Sequence, residues 1–264
     1  MTNMISNLEY ERSHPAVNKK DNGQKEHKMA MLIDGDNAQP SLITKMLSET
    51  GKYGSVTIKR IYGDWTTPNM KSWKDTLNNY AIQPIQQFRY TVGKNATDSA
   101  LIIDAMDILH GELVDGFCIV SSDSDYTRLA TRIRENGTFV MGIGEQKTSK
   151  AFVNACDVFI YTENIAPKEV KTPAKAVPGR KKEKSREAIL LGLLKEAFEM
   201  VVQEDGWTHL GSLGKALLQL DPGFDPRTYG YRQLSQLIEA FPDQYDIKRL
   251  DEVGPSSVYV KFKE

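Results

Sequence analysis

Three groups of acidic residues stand where a chain could set them against one another. The runs Asp34-Gly35-Asp36-Asn37 and Ser121-Ser122-Asp123-Ser124-Asp125 each follow directly on an apolar stretch, and Asp98 heads a third segment in Lys94-Asn95-Ala96-Thr97-Asp98. Carboxylates held ~5 Å apart at an effective dielectric near ~20 repel by about 3 kcal/mol per pair, so a cluster of them takes up either protons or a cation. The scattered His14, His27, His110 and His209, with Cys118 and Cys156, supply no zinc ligand set. An ion here would be held by oxygen, which favours Mg²⁺ or Mn²⁺. Its natural task is to orient water for in-line attack on a phosphodiester and to stabilise the leaving oxygen. On this reading Asp34, Asp98 and Asp123 are the core metal and catalytic candidates, and Asp125 completes the site or positions the attacking water. Asp36 is a further ligand or a turn residue that holds Asn37. Asn37, Thr97, Ser121 and Ser122 can hydrogen-bond the carboxylates or a phosphate. Asp104 lies roughly 240° around a helix from Asp98 and serves from behind the site or structurally. Each acid alone also reads as a turn or helix-cap residue, so their conjunction carries the argument.

The surrounding pattern supplies elements that would bring these groups together. Short apolar runs at 30–33, 56–62, 81–87, 116–120, 138–143 and 158–161 predict strands. Between them, 41–49, 70–79, 97–109, 126–135 and 149–155 predict helices. Near-continuously apolar strands separated by helices indicate an α/β fold, a doubly wound, Rossmann-like parallel sheet covered on both faces. In such sheets ligands gather at the carboxyl ends of the strands, where strand order reverses. The acids at 34 and 123 fall at two such ends, and if their strands are neighbours, Asp98 faces the same pocket.

Beyond residue 165 the composition changes. The chain as a whole has a net charge of −1, but residues 166–186 (APKEVKTPAKAVPGRKKEKSR) carry +6 and residues 187–264 carry −5. The proline-containing basic stretch predicts a linker whose Lys181 and Lys182 can attract phosphate. Residues 1–28 are polar and unpatterned and read as a mobile leader, leaving 29–165 and 187–264 as two domains. In the second, apolar stripes at Leu190, Leu193, Leu194, Ala197 and Val201, at Leu210, Leu213, Leu217 and Leu218, and at Leu234, Leu237, Ile238 and Phe241 predict three helices. Alternation at 245–250 and 257–262 predicts a hairpin, which makes a small winged-helix domain. Its negative charge argues against duplex DNA backbone as the main source of affinity. Arg227, Tyr229, Tyr231 and Arg232 form a local basic and aromatic cluster suited to unpaired bases or to a protein partner.

No apolar run approaches the roughly 20 residues of a membrane span, and no secretory pattern opens the chain. With two cysteines in apolar contexts there is no disulfide framework. These features lead us to expect a soluble, cytoplasmic protein.

The segments 31–38 (MLIDGDNA), 97–107 (TDSALIIDAMD), 120–126 (VSSDSDY) and 156–161 (CDVFIY) resemble the NYN family, the LabA-like branch of the PIN-like nucleases. The resemblance covers about half the chain, with the motifs in family order. It implies a PIN-like fold and a metal-dependent ribonuclease whose catalytic aspartates map onto Asp34, Asp98, Asp123 and Asp125. The segments 206–220 (GWTHLGSLGKALLQL) and 223–237 (GFDPRTYGYRQLSQL) are similar to the OST-HTH, or LOTUS, module. That similarity implies an RNA-binding or protein-binding adaptor. RNA is therefore the expected substrate, and Lys94 near Asp98 and Trp65 at the predicted acidic edge are additional nucleic-acid contacts.

Two other readings fit part of the same sequence. Asp34-Gly35-Asp36 after a strand is also the nucleophile motif of haloacid-dehalogenase-like phosphatases, with Asp34 phosphorylated and Asp36 as acid and base. A non-catalytic adaptor would keep the nuclease fold as an RNA- or protein-binding platform.

Overall fold

The computed structural model describes residues 26–88, 96–166, 180–250 and 257–263, without the side chains of 180–185 and of Leu250. Residues 1–25 of the expected leader and 167–179 of the expected linker lie outside these residues, whereas Lys28, at the leader's expected end, begins the first strand.

The first domain is one parallel sheet of β1 (Lys28–Asp34), β2 (Ser55–Gly63), β3 (Gln83–Gln86), β4 (Gly116–Val120), β5 (Phe139–Gly144) and β6 (Val158–Tyr161). The strand order is β3-β2-β1-β4-β5-β6, so the reversal point falls between β1 and β4. Their register pairs Leu32 with Ile119 and Ile33 with Val120, which brings Asp34 and Ser121 to adjacent strand ends. The helices α1 (Ile43–Thr50), α2 (Lys74–Tyr80), α3 (Ala96–His110), α4 (Thr127–Glu135), α5 (Lys150–Ala155) and α6 (Thr162–Ile165) connect or follow the strands. This is the doubly wound α/β architecture expected from the apolar runs.

Alternation along each strand divides the core in two. Ala30, Leu32, Phe117 and Ile119 face α3, α4 and α5, where they meet Leu101, Ala105, Ile108, Leu129, Ile133 and Phe152. Met31, Ile33, Cys118 and Val120 face the other way, against Ile43 and Met46 of α1 and against Met70 and Trp73. The same parity continues past the strand ends. It sends Asp34 and Ser121 to the α3–α4 side, where Asp98 and Tyr126 stand.

The second domain comprises α7 (Arg180–Val201), β7 (Trp207–His209), α8 (Leu210–Leu220), α9 (Leu234–Glu239), β8 (Tyr245–Leu250) and β9 (Ser257–Phe262). The three helices and the β8–β9 wing are as expected. A third strand is added, because β7 pairs antiparallel with β9 and makes the order β7-β9-β8. Helix α7 also begins at Arg180 inside the expected linker. Past the last proline and glycine of that segment, Lys, Glu and Arg are good helix formers and extend the helix backwards. Leu190, Leu194, Ala197, Leu213, Leu217, Leu237, Ile238 and Val260 form its core.

Among the described residues, no helix is long and apolar enough to cross a membrane.

Candidate metal centre

Strand β1 delivers Asp34 into a tight turn. The Gly35 amide bonds the Tyr62 carbonyl at 2.9 Å. A Cβ at position 35 would stand 2.8 Å from that carbonyl oxygen, so this close approach requires glycine. The turn closes on the Asp34 carboxylate itself. Oδ1 accepts from the Asp36 amide at 3.1 Å, and Oδ2 accepts from Asn37 Nδ2 at 2.6 Å and from Ser121 Oγ at 2.9 Å. Asp34 is only 1% exposed. Burial pushes its carboxyl above the ordinary range, the hydrogen bonds from Asn37, Ser121 and Asp36 oppose that rise, and the charge of Asp98 adds to it.

Strand β4 delivers the second acidic run. The Ser121 hydroxyl that donates to Asp34 also accepts from the Asp123 amide at 3.0 Å, so one side chain ties the two strand ends together. Asp123 caps the short 3₁₀ turn that follows, its Oδ1 accepting from the Asp125 amide at 2.9 Å. Ser122 faces β5, where its Oγ accepts from the Glu145 amide at 2.8 Å.

Helix α3 delivers the third group. Asp98 lies in its first turn, and Asp98 Oδ1 accepts from the Tyr126 hydroxyl at 2.7 Å. Burial raises the Asp98 carboxyl, the Tyr126 bond lowers it, and the charges of Asp123, Asp125 and Asp36 raise it again. Tyr126 is fully buried. Burial, the nearby charge of Asp34 and the bond to Asp98 all push its phenol upward, so it remains a donor. Sequence reading missed Tyr126. The available signal was its place directly after Asp125, at the start of an amphipathic helix.

One carboxylate oxygen each from Asp98, Asp123 and Asp125 lies within 4.8 Å of the other two. Asp98 and Asp123 are half-buried and Asp125 is exposed. Asp34 stands outside this trio, linked to it through Ser121 and by its charge coupling to Asp98. The donors are all oxygen, which suits a hard divalent cation of the Mg²⁺ or Mn²⁺ type. The Thr97 hydroxyl, one residue before Asp98, is buried and has no hydrogen-bond partner among the described residues.

The other expected site residues are distributed differently. Asp104 is turned away from the trio, and its carboxylate binds the Arg60 guanidinium and the Tyr62 hydroxyl, fastening α3 to β2. Trp65 sits at the expected sheet edge, but its indole donates to the Ile85 carbonyl at 3.0 Å and its ring packs on the second core cluster. Lys94 lies outside the described residues. Lys181 and Lys182 fall in the first turn of α7, where side chains are likewise outside the description. The residues of the basic and aromatic cluster expected in the second domain differ in their surroundings. Arg227 turns inward to Asp225 and Glu49, at 2.7 Å each, because two carboxylates compete for its guanidinium. Tyr229 and Tyr231 are half-buried and pack against the core, leaving Arg232 exposed.

The family model for the NYN domain matches residues 28–163, and that for the OST-HTH/LOTUS domain matches residues 184–255. Among solved structures, the chain is similar to a protein of unknown function from Vibrio parahaemolyticus RIMD 2210633, at 19% identity and a TM-score of 0.43, over 52% of this chain and 94% of that one. It is also similar to an uncharacterized protein from Nitrosomonas europaea, at 27% identity and a TM-score of 0.26, over 38% of this chain and 88% of that one. No curated protein matches. With just over half its length matched by the first model, the chain belongs to the NYN family of the PIN-like nuclease superfamily, and an OST-HTH/LOTUS domain follows.

Proposed function

We propose that this protein is a divalent-metal-dependent ribonuclease whose OST-HTH domain holds RNA or a protein partner. The observation that carries the reading is the convergence of Asp98, Asp123 and Asp125 within 4.8 Å at the sheet's reversal point. Asp98 and Asp123, half-buried and opposed across the cleft, hold the cation, which is Mg²⁺ or Mn²⁺. Bound there, the cation neutralises charge on the phosphodiester and supplies a reactive water. Asp125, at the exposed rim, accepts a hydrogen bond from the incoming water and aligns it. Asp34 works one layer deeper. Through Ser121 it fixes the Asp123 turn, and its own negative charge draws positive charge into the cleft. Asp36 and Asn37 close the turn around it.

A phosphoenzyme formed on Asp34 has less support. An attacking carboxylate needs an accessible oxygen, whereas both Asp34 oxygens accept hydrogen bonds and the residue is 1% exposed.

The test is to incubate end-labelled single-stranded and structured RNAs with the protein and Mn²⁺ or Mg²⁺, beside Asp98→Asn and Asp123→Asn variants. Cleavage that EDTA abolishes and both variants lose supports the proposal. Equal cleavage by wild type and variants removes it. Binding without turnover would favour the adaptor reading.

A further inference from the structure

Domains joined by a linker ordinarily move relative to one another unless a large or specific interface holds them. Here four different kinds of contact cross from the NYN domain to the OST-HTH domain. The first is ionic. Glu49, at the end of α1, accepts from Arg227 at 2.7 Å, and Arg227 is gripped on its other side by Asp225 at 2.7 Å. Glu49 and Asp225 are both more than nine-tenths buried. Burial alone would raise the Glu49 carboxyl, but the hydrogen bonds from Arg227 and Lys52 hold it below its ordinary range.

The second contact is a backbone hydrogen bond at a sheet edge. Strand β6 ends the parallel sheet, and an edge strand offers unpaired amides to any passing chain. The Phe159 amide is taken by the Pro222 carbonyl at 2.7 Å. The third is apolar: Leu218 of α8 packs against the core cluster that contains Val158 and Ile160 of β6. The fourth is steric and polar. A Cβ on Gly223 would stand 2.8 Å from the Tyr161 hydroxyl, and Asn164 Nδ2 donates to Thr228 Oγ1 at 2.8 Å.

We propose that the NYN sheet's β6 edge is an interaction surface for this chain's own OST-HTH domain, which is seated there as a fixed layer and latched by Glu49-Arg227-Asp225. The segment from Leu218 to Thr228 is then interface and is withdrawn from nucleic acid. The module's remaining surface, Arg232 included, is presented to a ligand in one orientation relative to the acidic trio. The same seat closes β6 against strand addition by another molecule. This inference concerns domain architecture and holds whether or not the acidic trio cleaves RNA.

The test uses the full chain with spin labels on cysteines introduced at the exposed Lys74 and Lys248, since Cys118 and Cys156 are both buried. Pulsed dipolar spectroscopy on K74C/K248C should give one narrow distance distribution. Arg227→Met should broaden it at least about twofold, as expected once domains move independently. Gly223→Val, which leaves the ionic latch intact but drives a side chain into Tyr161, should broaden it as well. A broad distribution in the otherwise unaltered chain overturns the fixed seat. A narrow one that neither substitution changes overturns the assignment of these residues as the latch.

Discussion

The Tyr126 hydroxyl donates a 2.7 Å hydrogen bond to Oδ1 of Asp98, so a fully buried phenol from the β4 side of the cleft sets the position of a carboxylate on α3. Since Tyr126 follows Asp125 directly, one short 3₁₀ turn carries two acids of the trio and the residue that orients the third. Tyr126→Phe removes only the donor. It should cost about 1 kcal/mol of stability, the usual net worth of such a bond, and should weaken Mn²⁺ binding several-fold while leaving the fold intact. Denaturant unfolding and calorimetric titration check the two effects separately.

Neutralising one acid should have opposite effects with and without metal. Burial and the charges of Asp123, Asp125 and Asp36 keep the Asp98 carboxyl above its ordinary range, which means that the ionised form is disfavoured where it stands. Asp98→Asn should therefore raise the thermal midpoint of the metal-free protein. The same variant should lose the stabilisation that Mn²⁺ gives wild type through mass action. Paired thermal melts in EDTA and in Mn²⁺ measure both.

Gly35→Ala probes the turn that holds Asp34. The added Cβ meets the Tyr62 carbonyl oxygen at 2.8 Å and the Met70 methyl at 2.6 Å. The methyl can move, but the carbonyl belongs to β2 and cannot move cheaply. We expect about 1–3 kcal/mol of destabilisation from overpacking, with RNA cleavage reduced because Asp34 and Asn37 are displaced. Denaturation curves and cleavage rates on the same preparation test this.

The ionic latch predicts a specific response to acid. Glu49 is held below its ordinary value of 4.5, so the stability it contributes is fully present above that pH and is lost as pH falls through its lower folded value. Glu49→Gln should reduce stability at neutral pH and flatten the wild-type loss below about pH 4.5. Arg227→Met, which leaves Glu49 and Asp225 unpaired, should cost on the order of 2–3 kcal/mol, less than a fully buried pair because the arginine keeps part of its surface in water. Urea titrations across pH 3–7 would show whether the two variants differ from wild type in this way.

Much of this architecture was legible in the chain because its signals are local. The runs at 30–33, 116–120 and 158–161 are continuously apolar, as doubly covered strands must be, and two acidic runs follow strands directly. The features that were not legible depend on partners far away in sequence. Arg227 reads as part of a cluster for unpaired bases or a protein partner, and its bond to Glu49, 178 residues earlier, leaves no local signal. Asp34 reads as a member of the acidic cluster, but its hydrogen bond from Ser121, 87 residues later, depends on the pairing of two strands. Strand β7 has only three residues, too few to show a period, and exists because β9 offers an edge. Prolines and charge mark the expected linker, yet its last residues, free of proline, extend α7.

Metal binding by the acidic trio is measured by a Mn²⁺ titration of the metal-free full-length protein followed by electron paramagnetic resonance, beside Asp98→Asn and Asp123→Asn. Wild type should bind saturably, and each substitution should weaken binding by at least about tenfold, equivalent to about 1.4 kcal/mol. Binding of equal strength in all three proteins, or none in wild type, would contradict a metal site at the trio.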